Sequence, residues 1–319
     1  MRLRDELVTV LAGPEMRWTG TLPPVVPTFS AAEMLSNPGL EPPYVGGLAN
    51  GWSLINTPTP AEETTIVHTP GGSSQKITSA TSGHGLHCSP TMTLGKWYQG
   101  SVWLYVASGV AAYMRSNAPV WDSPARDNYS TAAWAAFVIT GLCILAGTSG
   151  PYVKQSTAAA TVFYVDDASL RPLTLSTLYQ LHRTAFVNGT FAVPVTRLAG
   201  SQTGIIHYAD AANMVIVTET GDSGVRIRKC VAGTWSSVMA RQAVVYGAGK
   251  TLSVQRSGGA GAGLYTVLYD GAPVSVPQSI TDVVFDYAKW WGVFSTLGTT
   301  FAGAAANSFG TCTWIAAPP

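Results

Sequence analysis

The feature that most limits what this chain can become is the rhythm of its turns. From residue 37 onward, runs of about five to eight residues rich in Val, Ile, Thr, Tyr and Trp are each closed by Gly, Pro, Asn or Ser. Pro70-Gly71-Gly72-Ser73-Ser74, Gly147-Thr148-Ser149-Gly150 and Tyr269-Asp270-Gly271-Ala272-Pro273 are such closures. In the last of these, Gly enters the left-handed region at no steric cost and turns a hairpin. The pattern predicts an all-β chain. In the first half, strands are expected over 64–68, 75–78, 85–88, 96–107, 110–116, 134–139, 143–146 and 161–170. In the second they are expected over 190–196, 204–208, 214–220, 225–231, 243–246, 251–256, 264–269, 282–286, 290–297 and 310–315.

A chain of 319 residues can bury two cores of ordinary size. The turn rhythm divides it into an N-terminal arm over 1–36, a β-sandwich over 37–171, a linker over 172–189 and a second β-sandwich over 190–319. Leu175, Leu178 and Leu181 predict one short helix in the linker. The arm opens with Leu3, Leu7, Val10 and Leu11 at helical spacing, and then Pro23, Pro24 and Pro27 impose an extended path. Trp18, Leu22, Val25, Val26 and Phe29 give it more apolar surface than a free tail shows water. Two readings follow. The arm packs on its own domain, or it anchors the protein to a neighbouring subunit through Leu7, Trp18, Leu22 and Phe29.

Charged residues make up 11% of the chain with a formal net charge of +1, against about 25% charged residues in an average domain. No basic stripe is present, so nucleic acid is not an expected partner. Met1 to Leu7 lacks the apolar centre of a signal peptide. The most apolar stretch, Ala132 to Gly147, is interrupted at Thr140-Gly141 and falls short of the ~20 residues that cross a bilayer. It predicts a buried strand pair turning near Gly141, and no membrane span. Cys88, Cys143, Cys230 and Cys312 are widely separated; they read as buried free thiols or as one pair in each half. His84-x-x-His87-Cys88 offers either a zinc ligand set or a loop entering a strand.

Two phrases enclose the first half: Asn37-Pro38-Gly39-Leu40-Glu41 and Tyr164-Val165-Asp166-Asp167-Ala168-Ser169-Leu170. Between them come Gly51-Trp52, then Leu94-Gly95-Lys96-Trp97-Tyr98 leading into Ser101-Val102-Trp103-Leu104-Tyr105-Val106, then Trp134. This half resembles the carbohydrate-binding modules with a galactose-binding-like jelly roll. Leu40 stands where that family has an aromatic and Ala168 where it has Val. The second half resembles, through Gly204 to Asp210, Leu268-Tyr269-Asp270-Gly271 and Trp291-Gly292-Val293-Phe294-Ser295, the concanavalin-like or laminin-G-like sandwiches. Tandem sandwiches of this kind are similar to accessory structural proteins of tailed bacteriophages.

The first resemblance implies a structural calcium held by Glu41 and Asp167 with Asn37 nearby, since carboxylate and carbonyl oxygens suit that hard ion. In a regular strand Asp166 and Asp167 point to opposite faces, so only one of them can meet Glu41. It also implies a sugar site, which needs flat aromatic faces and a few polar groups. Trp103 and Tyr105 share one strand face, opposite Val102, Leu104 and Val106; Tyr113 and Arg115 share a face on the next strand. If the two faces coincide, these four residues form a platform, with Trp121 in its proline-flanked loop as a further contact. The alternative places the aromatics in the core and the Val/Leu set elsewhere. Glu219 with Asp222, and Asp282 with Asp286, do not alternate as the acid pairs of concanavalin-like hydrolases do, and no nucleophile elbow occurs.

The expected function is that of a non-enzymatic virion structural protein. It would be a bacteriophage minor tail or tail-tip component, assembled with other virion subunits and with copies of itself, and able to bind a host cell-surface glycan. A capsid decoration protein and a cellular polysaccharide-binding protein are the alternative expectations.

Overall fold

A computed structural model describes residues 17–106, 111–116, 120–122, 126–129, 132–184, 186–220, 224–297, 299–300 and 307–317. The chain is all-β and builds two sandwiches. Regular helix among the described residues is confined to two 3-10 turns, Leu175–Thr177 and Val283–Asp286.

In the first sandwich, one sheet runs in the order Trp121–Asp122, Trp134–Cys143, Trp97–Val106, Thr161–Pro172, Ser74–Ser79, Thr59–Glu63. The facing sheet runs Arg126–Tyr129, Ala112–Ser116, Pro151–Gln155, Gly85–His87, Ser53–Ile55. Alternation decides which side of each strand is core. Val102, Leu104 and Val106 are fully buried, and they pack with Leu40, Ile77, Met114, Phe137, Val153 and Phe163. The opening and closing phrases lie side by side: Ala168 N–H donates to Pro38 O at 2.6 Å and Met34 N–H to Leu170 O at 3.0 Å.

The second sandwich faces a six-stranded sheet against a larger one. The first is ordered Tyr179–Arg183, Trp290–Ser295, Gln202–Asp210, Asn213–Thr220, Gly224–Val231, Thr234–Ala243. The second has the path Arg17–Gly20, Cys312–Ala316, Gly189–Thr196, Lys250–Ser257, Gly263–Tyr269, Ala272–Pro273. Asp270 and Gly271 both have positive φ, 53° and 81°, and close the hairpin that the Asp-Gly pair predicts.

The described arm divides: Arg17–Gly20, Leu22 and Val25 belong to this second sandwich, while Met34 and Leu35 pack on the first. Arg17–Gly20 pairs antiparallel with Cys312–Ala316. Leu22 and Val25, 6% and 0% exposed, are members of its core. Trp18 stacks on His182 with ring centroids 3.9 Å apart. Trp18 and Leu22 therefore cover their own chain, which corrects the reading of them as anchors to a neighbouring subunit: the apolar arm finds its burial within the molecule. Phe29 stays 44% exposed, bridged to Leu173 and lying under the Arg171 guanidinium. Leu7 lies outside the described residues. The first sandwich is thus an insertion between two parts of the second.

Other expectations are corrected as well. Within the 172–189 linker, Tyr179–Arg183 is an edge strand paired with Trp290–Ser295, and only Leu175–Thr177 is helical. Trp134–Cys143 is one continuous strand through Gly141 rather than a turned pair, because its whole length pairs with the long Trp97–Val106 strand. The expected 64–68 strand is instead Thr59–Glu63, one step earlier. The expected 282–286 strand is the Val283–Asp286 turn.

Between the sandwiches lies a third apolar cluster: Trp97, Leu142, Leu173, Leu178, Ile206, Met214, Ile216, Cys230 and Phe294. Polar groups finish the junction. Thr140 N–H donates to Gly200 O at 2.9 Å, and the Thr140 and Thr296 hydroxyls are 2.6 Å apart. Gly200 has φ +82°, and a Cβ there would run into the Val138 carbonyl oxygen.

Candidate functional site: an outward aromatic face

The outer face of the first sandwich's six-stranded sheet carries the aromatics. Trp103 and Tyr105 point away from the core that Val102, Leu104 and Val106 fill. Strand register then gathers neighbours around them. Trp134 and Tyr164 lie on either side of Tyr105, while Ala136 and Asp166 flank Trp103. The Trp134 and Tyr164 rings each meet the Tyr105 ring edge-on, at 5.8 and 5.6 Å. The His68 ring lies stacked against Trp103 at 3.7 Å and edge-on to Trp134 at 5.8 Å. Trp103, Tyr105 and Trp134 are half-buried and Ala136 is exposed, which leaves an aromatic floor open to water.

Tyr113 and Arg115 are not part of it. They point outward from the facing sheet, on the opposite side of the sandwich, where Arg115 lies over the Tyr113 ring at 4.6 Å and Tyr152 is their neighbour. The expected four-residue platform is therefore split by the thickness of the core. Trp121 is 0% exposed. It pairs with Cys143 at the sheet edge and packs over Gly100, where a Cβ would come within 2.8 Å of its ring. It is a core residue, buried away from the surface. Trp134, Tyr164 and His68 escaped the sequence reading. Trp134 and Tyr164 have strand parity as their signal, but the register that aligns them with Tyr105 is not written in either strand alone.

One flank of the floor is the 68–73 turn, and carboxylates hold it. Asp166 Oδ2 accepts from His68 N–H at 2.9 Å. Asp167 Oδ2 meets His68 Nδ1 at 2.6 Å and accepts from Thr69 Oγ1–H at 2.5 Å. Both aspartates thus reach one turn, against the expectation from alternation. The reason is a register shift between Asp166 and Ser169, with Asp167 at φ +43°; a bulge re-aims a side chain in this way. Asp166 is 1% exposed, and burial, with Asp167 beside it, pushes its carboxyl up to about 6.

Glu41 holds the other end of the same turn, accepting from Ser73 N–H at 2.9 Å through Oε2. Asn37 closes the opening phrase on itself: its Nδ2 donates to Glu41 O at 2.8 Å and its Oδ1 accepts from Glu41 N–H at 3.1 Å. These oxygens have the chemistry a hard cation wants. Glu41 Oε1 has no hydrogen-bond donor among the described residues. It fronts Gly72, where a Cβ would collide with it. Among the described residues, no three His, Cys, Asp or Glu side chains converge to hold a metal.

The remaining candidates serve structure. All four cysteines are free and buried, and burial pushes the Cys88 thiol up to about 12. His87 Nδ1 bonds Ser89 Oγ at 2.9 Å. Glu219 faces Arg197 at 3.1 Å, Asp282 faces Lys229 at 2.5 Å and Asp286 faces Arg256 at 2.7 Å, each in an ion pair. Asp222 lies outside the described residues. No helix among the described residues is long and apolar enough to cross a membrane.

No family model and no curated protein matches this sequence. Solved structures do. The CBM22-1 xylan-binding domain from Paenibacillus barcinonensis Xyn10C is 12% identical, aligning 46% of this chain with 96% of that one at a TM-score of 0.36. TmCBM61 in complex with beta-1,4-galactotriose is 17% identical over 44% of this chain and 98% of its own, at 0.33. The tail fiber protein gp63.1 from an E. coli phage is 10% identical over 84% of this chain and 39% of its own, at 0.25. At such scores the reading of function rests on the residues themselves.

Proposed function

We propose that this protein is a glycan-binding structural protein whose sugar site is the floor formed by Trp103, Tyr105 and Trp134. The carrying observation is that large aromatics occupy the outward side of a strand whose inward side already supplies a complete aliphatic core. Rings left half-exposed on that outward side suit the apolar face of a pyranose. His68 and Asp167, linked at the edge of the floor, supply polar groups for sugar hydroxyls.

Affinity electrophoresis or calorimetry against neutral polysaccharides tests the site. Trp134→Ala and Trp103→Ala each weaken binding by about tenfold or more, the usual cost of truncating a central aromatic contact. Tyr113→Ala, on the opposite sheet, leaves binding unchanged. Equal losses for Trp134→Ala and Tyr113→Ala, or no binding by the intact chain, contradict the proposal.

Placement in a virion, as a minor tail or tail-tip component, is part of the same reading and is supported by the sequence resemblance of the tandem sandwiches. Immunogold labelling of particles tests it. Label at the tail agrees, while label over the capsid, or on no particle at all, favours the decoration or cellular polysaccharide-binding alternatives. A structural calcium held by Glu41 and Asp167 with Asn37 nearby is proposed with it, supported by Glu41 Oε1, which takes no hydrogen bond among the described residues while Oε2 accepts from Ser73 N–H. The ion raises the melting temperature of the metal-free protein, and Glu41→Gln abolishes that rise. A melting curve indifferent to calcium contradicts it.

A further inference from the structure

A cleft of about 360 Å³ opens on the second sandwich, whereas the Trp103 floor belongs to the first. Its volume is within the range that takes a small ligand. Arg183, Asp210, Tyr287, Lys289 and Trp290 line it.

Strand parity builds one wall. The Trp290–Ser295 strand sends Trp291 and Val293 into the core between the sheets, so alternation turns Trp290 outward. Arg183 and Tyr208 are its register partners on either side and share that face. The Gln202–Asp210 strand slips register between Tyr208 and Asp210, and Asp210 reaches the cleft.

The turn that follows Val283–Asp286 builds the other wall. Phe285 anchors it in the core at 1% exposure. The backbone is pinned as well: Ala288 O lies 2.8 Å from the buried His207 Nε2, and Lys289 O accepts from Thr184 N–H at 2.7 Å and from the Thr184 hydroxyl at 3.0 Å. Tyr287 stands 79% exposed on this fixed backbone.

The acidic groups around the cleft each have a partner. Asp282 pairs with Lys229 at 2.5 Å and Asp286 with Arg256 at 2.7 Å. Asp210 accepts from Ala212 N–H at 2.8 Å and from the Asn213 amide at 2.9 and 3.0 Å. The cations are not matched in this way: the Arg183 and Lys289 side chains are exposed and make no ion pair or hydrogen bond with any described residue. Two cations and two aromatic rings thus meet at one cleft whose backbone is already ordered, which lowers the cost of binding there.

We infer that this cleft binds a sugar carrying a negative charge, with its anionic group on Arg183 and Lys289 and its ring against Trp290 and Tyr287. A guanidinium offers two parallel donors to a carboxylate or a sulfate. Flat rings take the apolar side of a pyranose, and Asp210 accepts from a sugar hydroxyl. The rings and Asp210 separate such a ligand from a bare anion, while the cations separate it from a neutral sugar. No residue is shared with the Trp103 floor, so either site can fail without the other.

The 15N indole signal of Trp290 reads this cleft, and it is followed while the full chain is titrated with digalacturonic acid, sulfated digalactose, digalactose and inorganic phosphate. At least one acidic disaccharide shifts it, with an affinity that falls as salt rises. The tighter of the two identifies the anionic group. Arg183→Gln weakens that binding by about tenfold, and Tyr287→Ala does so by a similar factor. Both side chains are exposed, so the melting temperature stays where it was. Digalactose or phosphate that moves the signal as readily as the acidic disaccharides overturns the inference. So does a Trp290 signal that neither acid moves, or binding that Arg183→Gln leaves intact.

Discussion

Two side chains show how much a single residue's surroundings decide. His207 is wholly buried: Tyr265 OH lies 2.7 Å from Nδ1, Ala288 O lies 2.8 Å from Nε2, and Trp291 stacks on the ring at 4.3 Å. Burial, with Arg256 nearby, pulls its pKa down to about 3. The neutral ring is therefore the native one, and between pH 6.5 and 3 the unfolded chain binds a proton that the folded chain refuses. Stability carried by His207 is complete above pH 6.5 and is lost as pH falls, by about 2–3 kcal/mol at pH 4.5. Urea midpoints at pH 7 and 4.5 check this: the loss on acidification shrinks by that amount in His207→Gln, which can still donate to Ala288 O. An unchanged loss contradicts the assignment. At the aromatic floor, strand parity made it legible that Trp103 and Tyr105 share a face opposite Val102 and Leu104. It could not say which face is core, because both sets are apolar. Trp121 was misread for a related reason: prolines nearby suggest a loop, while the two-residue pairing with Leu142 and Cys143 that buries it is a tertiary fact. The bulge at Asp166 has no sequence signature at all, so the convergence of both aspartates on His68 was hidden.

At the scale of elements, turn chemistry made most strands legible, and tertiary pairing decided the rest. Gly141 reads as a punctuation mark, yet Trp134–Cys143 passes straight through it because each residue from Trp134 to Leu142 has a partner on Trp97–Val106. The Arg17–Gly20 strand was invisible for the opposite reason: its partner, Cys312–Ala316, is at the far end of the chain. That pairing carries a prediction. Leu22→Ala and Val25→Ala each remove buried groups from the second core, at a cost of about 1–4 kcal/mol, with Leu22 the larger. Deleting residues 1–27 exposes the edge of the Cys312–Ala316 strand and lowers the melting temperature of the isolated protein. An arm that served only to dock on neighbours would leave the truncated protein as stable as the full chain.

The whole molecule is held by the cluster around Trp97, which joins two sandwiches that each own a separate core. Trp97 meets Phe294 at 5.1 Å, so one ring from the first sandwich is seated in the second. Trp97→Ala costs about 3–5 kcal/mol by the cavity it leaves. Calorimetry of the intact chain gives one transition, because neither sandwich unfolds without exposing the shared cluster, and Trp97→Ala splits it in two. Two transitions in the intact protein contradict a common junction. The same junction leaves the Trp103 floor facing outward.

The central claim, that the outward aromatics bind sugar, is tested most directly by labelling the tryptophan indole nitrogens with 15N and titrating neutral β-linked oligosaccharides by NMR. The indole signals of Trp103 and Trp134 shift with ligand, while those of the buried Trp97, Trp121, Trp291 and Trp314 stay in place. Saturating ligand that moves no indole signal, or that moves only the buried set, contradicts the account.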